Sequence, residues 1–309
     1  MTLLNSLARS MRPLVEANPR LAMAYRHYRD MQHLARSPVR TPFGFKFIGH
    51  PAMEAGTFEP DEVRVVKHLL AHSDVLVNVG ANVGYYCCLA LQAGLPVVAI
   101  EPVPNNLQYL YRNLLANGWA ERAEVLPVAV GATRGLVDIF GGGTAASLLE
   151  GWAGIPSAYR QTVPMTTLDA SVAGRFDALR RFILIDVEGA ELGVLKGAAS
   201  LLGAARKPVW MVEISVDEHF PGGAKLNPNL CETFEMFEAR GYEAWVVGET
   251  LTALDYAQVR TIARTSINTL RSHNFVFAAP GALDPSAAEP SAADPSAPAP
   301  PASHNPGFE

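Results

Sequence analysis

Apolar residues along this chain fall into short β-branched runs that alternate with amphipathic stretches of helical spacing. The clearest helical stretches lie at 104–117, 191–202 and 230–240. Strands that alternate with helices favour an α/β fold, in which a mostly parallel seven-stranded sheet has helices on both faces. The runs that predict the strands of this sheet lie at 75–79, 97–100, 124–130, 182–186, 209–214, 242–247 and 274–278.

Segments outside this pattern indicate how the chain is divided. Two runs at 135–140 and 161–167 flank a glycine-rich segment and predict a β-pair inserted into the domain. From residue 281 onward an acidic-Pro-Ser-Ala unit returns every five residues, which predicts a disordered tail. The predicted organisation is a helical basic arm at 1–40, one domain at 41–280 and a loose tail at 281–309.

The whole chain is mildly acidic, whereas its predicted arm is basic. Lysine and arginine number 25 against 30 aspartates and glutamates, so the formal net charge is −5. This balance excludes a general nucleic-acid binder, which needs a basic face to neutralise phosphates. The arm carries seven arginines against two acids, and its apolar residues recur at helical spacing. We expect it to pack on the domain or on a second subunit of a homo-oligomer, or to make peripheral contact with an anionic membrane surface.

Targeting signals are hard to find in the sequence. No apolar run approaches the roughly eighteen residues that cross a bilayer. Arg9, Arg12 and Pro13 interrupt the start before an apolar signal region can form. Three cysteines cannot form a disulfide framework, and the adjacent Cys87 and Cys88 are interpreted as core thiols. We therefore expect a cytoplasmic protein.

The first strand of the predicted sheet leads directly into a glycine loop. The loop is Gly80-Ala81-Asn82-Val83-Gly84, and its two glycines allow a tight turn before the following helix. The second strand is followed by Glu101, where a carboxylate is placed to accept hydrogen bonds from a ribose diol. Because ligands of open α/β sheets bind beyond the carboxyl ends of the strands, this arrangement predicts a pocket for an adenosine-type cofactor.

The middle of the loop distinguishes between two classes of cofactor. Dinucleotide sites have a glycine where this chain has Asn82, because a side chain there crowds the pyrophosphate. S-Adenosylmethionine has a ribose, a sulfonium and an amino-acid tail but no phosphate, so it suits this loop better. The sequence favours S-adenosylmethionine as cofactor and leaves an NAD(P)-dependent oxidoreductase as the weaker alternative.

A second group of acids follows the fourth predicted strand. Asp186, Glu188 and Glu191 lie at a strand-to-helix turn. The fourth strand of this fold class adjoins the first, so Asp186 is expected to face the same cleft as the glycine loop. Its other interpretation is a cap on the following helix. Glu188 and Glu191 are interpreted as helix-start acids, which the helix dipole favours.

Together these residues resemble those of the FkbM family of S-adenosylmethionine-dependent methyltransferases. The resemblance covers roughly residues 41–280 in family order. It implies a class I (Rossmann-like) methyltransferase fold and methyl transfer to a hydroxyl of a sugar, polyketide or similar small-molecule or glycan acceptor. The matching stretches are TPFGFKFIGH (41–50), GTFEPDE (56–62), VNVGANVGYY (77–86), AIEPVPNNLQYLYRN (99–113), TTLD (166–169), IDVEGAELGVLKGA (185–198) and VEI (212–214).

Two positions depart from the family pattern. The family usually has aspartate where this chain has Asn78, and the resemblance implies that this residue contacts the amino-acid moiety of the cofactor. An amide keeps one acceptor but loses the charge-assisted hydrogen bond. The second departure is Leu184, where the family often has lysine. Asn78 keeps open a second function, that of a non-catalytic cofactor-binding or membrane-associated protein with a decayed site.

Methyl transfer to an alcohol needs a group that takes the proton of the acceptor. The candidates are Asp186, Glu213 at the end of the fifth strand, Asp217 and His219, although His219 also fits an exposed loop residue. A divalent metal held by Asp186 and Glu213 is not favoured, because no Asp-Asn pair follows Glu213. Trp152, in the insert, fits either stacking on an acceptor or ordinary loop packing.

Overall fold

The computed structural model describes residues 32–284. The strands in this range are β1 (Val39–Arg40), β2 (Lys46–Phe47), β3 (Val75–Val79), β4 (Val97–Ile100), β5 (Ala123–Leu126), β6 (Ala129–Val130), β7 (Gly135–Phe140), β8 (Arg160–Thr166), β9 (Arg181–Ile185), β10 (Val209–Glu213), β11 (Glu243–Val246), β12 (Thr252–Leu254) and β13 (Asn274–Ala278). The α-helices are α1 (Pro51–Ala55), α2 (Pro60–Ala71), α3 (Tyr85–Gln92), α4 (Pro104–Ala116), α5 (Leu168–Val172), α6 (Glu191–Lys196), α7 (Ala199–Leu202), α8 (Leu230–Glu238) and α9 (Tyr256–Thr265).

Eight strands form the main sheet, in the order β12-β11-β13-β10-β9-β3-β4-β5. The strands β10, β9, β3, β4 and β5 run parallel, and β13 lies antiparallel between β10 and β11. Each of the predicted runs contributes a strand, but the predicted number of seven is wrong because β12 also pairs with β11. This strand has three residues, two of them exposed, and is too short to show an alternating pattern in the sequence.

The predicted strand at 124–130 is divided between two sheets. β5 ends at Leu126, and the next residue, Pro127, has no N–H to donate to a strand ladder. The chain then forms β6, which belongs to a second sheet ordered β6-β8-β7. The antiparallel strands β7 and β8 are the inserted β-pair that the sequence predicts.

The central strands are buried on both faces of the main sheet. Every residue of β3, β4 and β9 is buried, as expected for parallel strands covered by helices. On β3, Leu76 belongs to an apolar cluster with α2, α3 and α4, whereas Val77 and Val79 belong to a second cluster with α6, α7 and α8. These two cores hold the carboxyl ends of β3, β4, β9 and β10 at one edge of the sheet.

The described chain begins beside α4. The rings of His33 and Tyr109 lie 5.7 Å apart, and Arg112 donates a hydrogen bond to the carbonyl oxygen of Arg36 at 3.1 Å. The predicted arm upstream of this contact, at 1–31, lies outside the described residues.

At the other end, the predicted boundary at 281 falls within packed structure. Leu283 packs against the core that contains α2 and α3, so the domain continues at least to this residue. The rest of the predicted tail, at 285–309, lies outside the described residues. Between residues 32 and 284, no helix is both long and apolar enough to span a membrane.

Candidate functional site

The glycine loop after β3 fits tightly between the two neighbouring strands. The amides of Gly80 and Ala81 donate hydrogen bonds to the carbonyl oxygen of Ile100 at 2.9 and 3.0 Å. Gly80 has a φ of +81°, and a Cβ on it would lie 1.7 Å from the carbonyl oxygen of Asp186. Gly84 has a φ of +86°. Glycine is therefore required at position 80 both by the backbone conformation and by the close approach of the chain after β9.

Glu101, at the end of β4, is buried and holds the loop in place. Its carboxylate accepts hydrogen bonds from the backbone N–H groups of Asn82 at 2.7 Å and Val103 at 2.8 Å. The side-chain amide of Asn106 donates a third at 3.2 Å. Burial raises the pKa of Glu101 to about 6. An ionised carboxylate has about four acceptor positions, so it can still accept from a ligand.

A cleft opens at this edge of the sheet beside the glycine loop. Its empty volume is about 540 Å³, open solvent included. Glu101 lines it after β4, and Asp186 and Glu188 line it after β9. An apolar wall beside a few polar groups is typical of a small-molecule site. The apolar side chains of the wall include Ile100, Val128, Val130, Ile139 and Leu148.

Asn82 provides a test of which cofactor fits this cleft. It lines the cleft with a φ of +50°, and its buried Oδ1 has no hydrogen-bond partner in the described part of the chain. A buried acceptor without a partner suits a ligand that brings a donor. Its side chain also occupies the position that a dinucleotide loop leaves open. The residues therefore fit an adenosine cofactor without a pyrophosphate.

Asn78, near the end of β3, and Gly84, the last residue of the loop, are not among the residues that line the cleft. Asn78 is 1% exposed, and its amide donates a hydrogen bond to Sγ of Cys87 on α3 at 3.4 Å, whereas its Oδ1 has no partner within residues 32–284. A Cβ on Gly84 would lie 2.4 Å from Cδ1 of Leu110. Asn78 therefore packs against α3, and Gly84 lets the end of the loop pack against α4.

The two departures from the family pattern are neighbours in space. Asn78 on β3 and Leu184 on β9 are register partners in the parallel ladder. Both are buried, at 1% and 4% exposure. The family resemblance leads us to expect an aspartate and often a lysine at these two positions, whereas this chain has a neutral pair. A charge left alone at either position would be costly to bury, so the two departures fit together.

Asp186 follows β9 and Glu213 ends the neighbouring strand β10, since Ile185 on β9 is the register partner of Val212 on β10. Burial raises the pKa of Asp186 well above its usual range, and the charge of Glu188 raises it further. Burial also raises the pKa of Glu213, with Asp186 as the next cause. The two acids therefore lie close enough to influence each other, but only Asp186 lines the cleft.

Glu188 occupies a different place from the one its sequence interpretation gives it. Helix α6 begins at Glu191, whose carboxylate accepts a hydrogen bond from the N–H of Gly189 at 2.8 Å. Glu188 precedes the helix, has a φ of +53° and lines the cleft, so its interpretation as a helix-start acid is wrong. Its Oε2 accepts a hydrogen bond from Nε1 of Trp152 at 2.8 Å, and its carbonyl oxygen accepts one from the hydroxyl of Ser147 at 2.6 Å.

The insert between β7 and β8 connects the loops after β9 and β10. Trp152 is 1% exposed, and its ring centroid lies 5.0 Å from that of Phe220. A Cβ on Gly189 would lie 2.5 Å from the indole. The N–H of Ala153 donates a hydrogen bond to the carbonyl oxygen of His219 at 2.9 Å. Trp152 therefore serves packing, which resolves the two interpretations that the sequence leaves open.

His219 and Asp217 lie on exposed positions of the loop after β10. The ring of His219 is 5.7 Å from that of Trp152, and neither His219 nor Asp217 is among the residues that line the cleft. Asp217 accepts a hydrogen bond from the amide of Asn268 at 3.0 Å. The structure thus brings Gly80, Asn82, Glu101 and Asp186 together and leaves His219 at the surface.

Sequence reasoning gave no role to Glu59. It precedes α2 with a φ of +42°, and its Oε2 accepts a hydrogen bond from the hydroxyl of Tyr86 at 2.6 Å. Burial raises its pKa to about 7. Its charge contributes to the raised pKa values of Asp186 and Glu213, so it lies near them. We call Glu59, Asp186, Glu188 and Glu213 together the acidic end.

The acids, histidines and cysteines of the described residues bear on metal and thiol chemistry. Within residues 32–284, no group of three or more His, Cys, Asp or Glu residues is arranged to hold a metal ion. Cys87 and Cys88 are fully buried, and burial raises the pKa of Cys87 to about 12. A thiol with this pKa is not a nucleophile at neutral pH, as expected for a core residue.

The family model for the methyltransferase FkbM domain matches residues 78–244, which is more than half of the chain. A solved FkbM methyltransferase from Methylobacillus flagellatus is 18% identical, with 67% of this chain and 44% of that chain covered and a TM-score of 0.41. An O-methyltransferase from Bacillus cereus, solved with SAH, is 14% identical, with 73% and 83% covered and a TM-score of 0.39.

An S-adenosylmethionine-dependent O-methyltransferase from Thermotoga maritima is 10% identical, with 71% of this chain and 64% of that chain covered and a TM-score of 0.36. These structural likenesses are too low to carry an argument about function. This chain spans less than half the length of the Methylobacillus protein. No curated protein sequence matches this chain.

Proposed function

The chain belongs to the FkbM methyltransferase family, and from this premise we propose that it transfers a methyl group from S-adenosylmethionine to a hydroxyl oxygen. The proposed acceptor is a sugar, a polyketide or a similar small molecule or glycan. The observation that carries the proposal is the cleft shared by Glu101, Asn82 and Asp186 at the carboxyl ends of β3, β4 and β9. In open α/β sheets this is the place where ligands bind.

Glu101 is the proposed ribose ligand. Three N–H donors already fix its carboxylate, so its remaining acceptor positions are oriented before the cofactor arrives. Asn82 is proposed to accept a donor of the cofactor at its unpartnered Oδ1. Gly80 lets the backbone approach the ligand closely. Asn78 and Gly84 are proposed to act indirectly, by holding the shape of the loop.

When bound, S-adenosylmethionine supplies a methyl group on a sulfonium; the new bond joins that carbon to the acceptor oxygen, and the sulfur–carbon bond breaks with its electron pair left on sulfur. Asp186 is the proposed general base and takes the hydroxyl proton at a carboxylate oxygen. Burial raises its pKa, which makes its carboxylate a stronger base than an exposed one. Glu213 ends the neighbouring strand, and the charge of Asp186 raises its pKa, so the pair has a raised affinity for a proton.

His219 is the weaker candidate for the base because its ring lies at the surface against Trp152. It would need to move toward the cleft to reach an acceptor, whereas Asp186 already lines it. The variant His219→Gln tests this ranking. We expect the rate of methyl transfer to fall less than threefold in this variant, and a hundredfold fall would exchange the two roles.

Calorimetric titration tests the cofactor assignment. We expect S-adenosylmethionine to bind and NAD to give no heat, since Asn82 occupies the place that a pyrophosphate needs. Binding of NAD alone would favour an oxidoreductase. Binding of neither compound would refute the proposed function.

The buried amide at Asn78 favours a second candidate, a non-catalytic protein that keeps a decayed cofactor site. The pairing of Asn78 with Leu184 weakens that candidate. Both members of the pair are neutral, so neither position holds a buried charge without a partner. Binding of S-adenosylmethionine without methyl transfer to any component of a metabolite extract would support it.

A further inference from the structure

We propose that the protein has a second binding site, for a small organic anion, at the end of β9 that lies opposite the cleft. Arg181 is the first residue of β9 and lines a groove there, whereas Asp186 follows β9 and lines the cleft. A five-residue strand spans about 16 Å, so a head group at Arg181 is too far from Asp186 to be the hydroxyl that loses its proton there. The inference does not depend on the proposed function.

The groove is formed by the segments around α5 and α7 and by the start of β9. Its empty volume is about 1190 Å³, open solvent included, which is larger than the roughly 540 Å³ of the cleft. Its lining combines arginines with small apolar side chains, which leave space for the body of a ligand. The small apolar residues are Ala170, Ala173, Ala204 and Ala205.

Arg181 is buried at this groove and has a donor that the protein leaves unused. Its side chain is only 4% exposed. Its Nη1 donates a hydrogen bond to Oδ1 of Asp177 at 3.1 Å, and its Nη2 donates one to the carbonyl oxygen of Arg206 at 2.6 Å. Its buried Nε has no hydrogen-bond partner within residues 32–284. A buried donor without a partner is costly, so an anion that reaches this guanidinium is stabilised there.

The two acids that line the groove, Asp169 and Asp177, already have partners. The carboxylate oxygens of Asp169 accept hydrogen bonds from the backbone N–H groups of Ser200 at 2.8 Å and Leu201 at 3.0 Å. Asp177 forms an ion pair with Arg181. These acids therefore hold the walls of the groove together and do not compete with an anion for its other arginines.

Two further arginines, Arg134 and Arg206, line the groove at exposed positions. Neither forms an ion pair in the part of the chain that the structure describes. Nη1 of Arg206 donates a hydrogen bond to the carbonyl oxygen of Ala178, which fixes the position of its side chain. With Arg181 included, three arginines line the groove against two aspartates, so its side chains carry one net positive charge.

This lining favours a ligand with a phosphate or carboxylate head group and a compact apolar body. A guanidinium binds either head group through pairs of N–H donors in one plane. The alanines provide an apolar surface for the body, and the arginines repel a cation of the same shape. The shared chemistry of the ligand is therefore that of a small organic anion.

Calorimetric titration of the full chain with three probes tests the site. Phenyl phosphate presents a phosphate, benzoate presents a carboxylate, and phenol has the ring alone without a charge at pH 8. We expect phenyl phosphate or benzoate to bind saturably, with one molecule per chain, and phenol to give no saturable heat. The more tightly bound anion identifies the head group that the site prefers.

Variants locate the bound anion in the groove. Arg181→Met removes the buried guanidinium and should weaken binding about tenfold or more. Arg134→Gln removes an exposed one and should weaken binding about threefold, and it keeps the test valid if Arg181→Met does not fold. Arg122→Gln, an exposed arginine outside the groove, is the matched control and should change nothing. The affinity for S-adenosylmethionine should be the same in all of these proteins.

Absence of saturable binding by both anions would overturn the inference. So would unchanged affinity in both variants, or in Arg134→Gln alone if Arg181→Met does not fold. Displacement of the anion by S-adenosylmethionine would place the anion in the cleft and would also overturn it. Because the cofactor is titrated separately, these results leave the proposed function standing, and failure of S-adenosylmethionine to bind leaves the anion site standing.

Discussion

β4 and β9 flank β3 on either side, yet the acids that follow them, Glu101 and Asp186, have different surroundings. The carboxylate of Glu101 accepts hydrogen bonds from three N–H donors. Two of them belong to residues within five positions of it, Val103 and Asn106, and the third is the backbone N–H of Asn82 in the glycine loop. No donor in the described part of the protein reaches the carboxylate of Asp186, which has other acids for neighbours. In the proposed function, Glu101 binds the ribose of the cofactor and Asp186 takes the proton of the acceptor. If these roles hold, the number of hydrogen bonds that each acid accepts is what separates cofactor recognition from proton transfer within one cleft.

The largest expected effect concerns the Glu101 side of the comparison. Glu101→Ala removes the proposed acceptor for the ribose hydroxyls and the anchor of Asn82, and should weaken binding of S-adenosylmethionine by about 2–4 kcal/mol. Calorimetry measures this loss, and circular dichroism checks that the variant is folded. Unchanged affinity in a folded Glu101→Ala protein would remove the ribose assignment.

Asp186→Asn tests the other side. It keeps the shape of the side chain and removes its basicity, so methyl transfer should fall about a hundredfold or more while the cofactor still binds. Single-turnover rates and calorimetric affinity, measured on the same protein, separate the two quantities. A normal rate would reduce Asp186 to a structural role and move the search for the base to Glu213 and His219.

Asn78→Asp tests whether the cofactor site has decayed or whether only the charge at position 78 has been lost. A carboxylate at this position would be buried beside Leu184 without a cation, so we expect a loss of stability of about 1–3 kcal/mol with little change in cofactor affinity. The double variant with Leu184→Lys should recover part of that stability. Thermal melts and calorimetry test both. Tighter cofactor binding in Asn78→Asp alone would instead show that the carboxylate reaches the cofactor.

The pKa of Glu101, raised from 4.5 to about 6, gives the Glu101 side a pH dependence. Ribose hydroxyls need the carboxylate as acceptor, so affinity for S-adenosylmethionine should fall as the pH drops below about 6, by up to about tenfold per pH unit. The effect of Glu101 on stability has the opposite sign. An acid whose pKa is raised by folding stabilises the folded state at low pH, and its contribution to the free energy of unfolding is lost as the pH rises through 4.5 to 6. Titrations between pH 5 and 8 measure the binding effect, and Glu101→Gln should abolish it. An equally steep dependence in Glu101→Gln would assign it to another group.

The smallest expected effect concerns the C-terminal segment of the chain. Removal of residues 285–309 should leave the melting temperature and the cofactor affinity unchanged, because the segment has little apolar surface to bury. Removal of 281–309 also deletes Leu283, which packs against the core, and should lower the melting temperature by a few degrees. Equal melting temperatures for the two truncations would show that Leu283 contributes nothing.

The fold could be predicted from the sequence because its signal is local. The buried runs around β3, β4 and β9 consist of β-branched and aliphatic residues, and the glycine loop follows the first of them directly. β12 could not be predicted, since three residues carry no periodicity. The division of the run 124–130 into two strands could not be predicted either, because apolar residues lie on both sides of Pro127.

The candidate site could be predicted only where a residue ends a predicted strand, as Glu101 and Asp186 do. Glu59 and Trp152 lie far from the loop in the sequence, and only the folded chain brings them to the acidic end. The sequence favours a helix-start role for Glu188, because acids near the start of a helix are common. In the structure its backbone is left-handed, and the residue lies before the helix. Such tertiary placement leaves no periodic signal in the sequence.

The central claim is that the cleft binds the cofactor, with Glu101 and Asp186 in separate roles. A crystal structure of the full chain with S-adenosylhomocysteine tests this claim most directly. The account predicts the ribose hydroxyls within hydrogen-bond distance of the Glu101 carboxylate, and the thioether sulfur beside Gly80 and Asp186. A nucleoside bound away from Glu101, or bound in reverse with its adenine at Asp186, would contradict it.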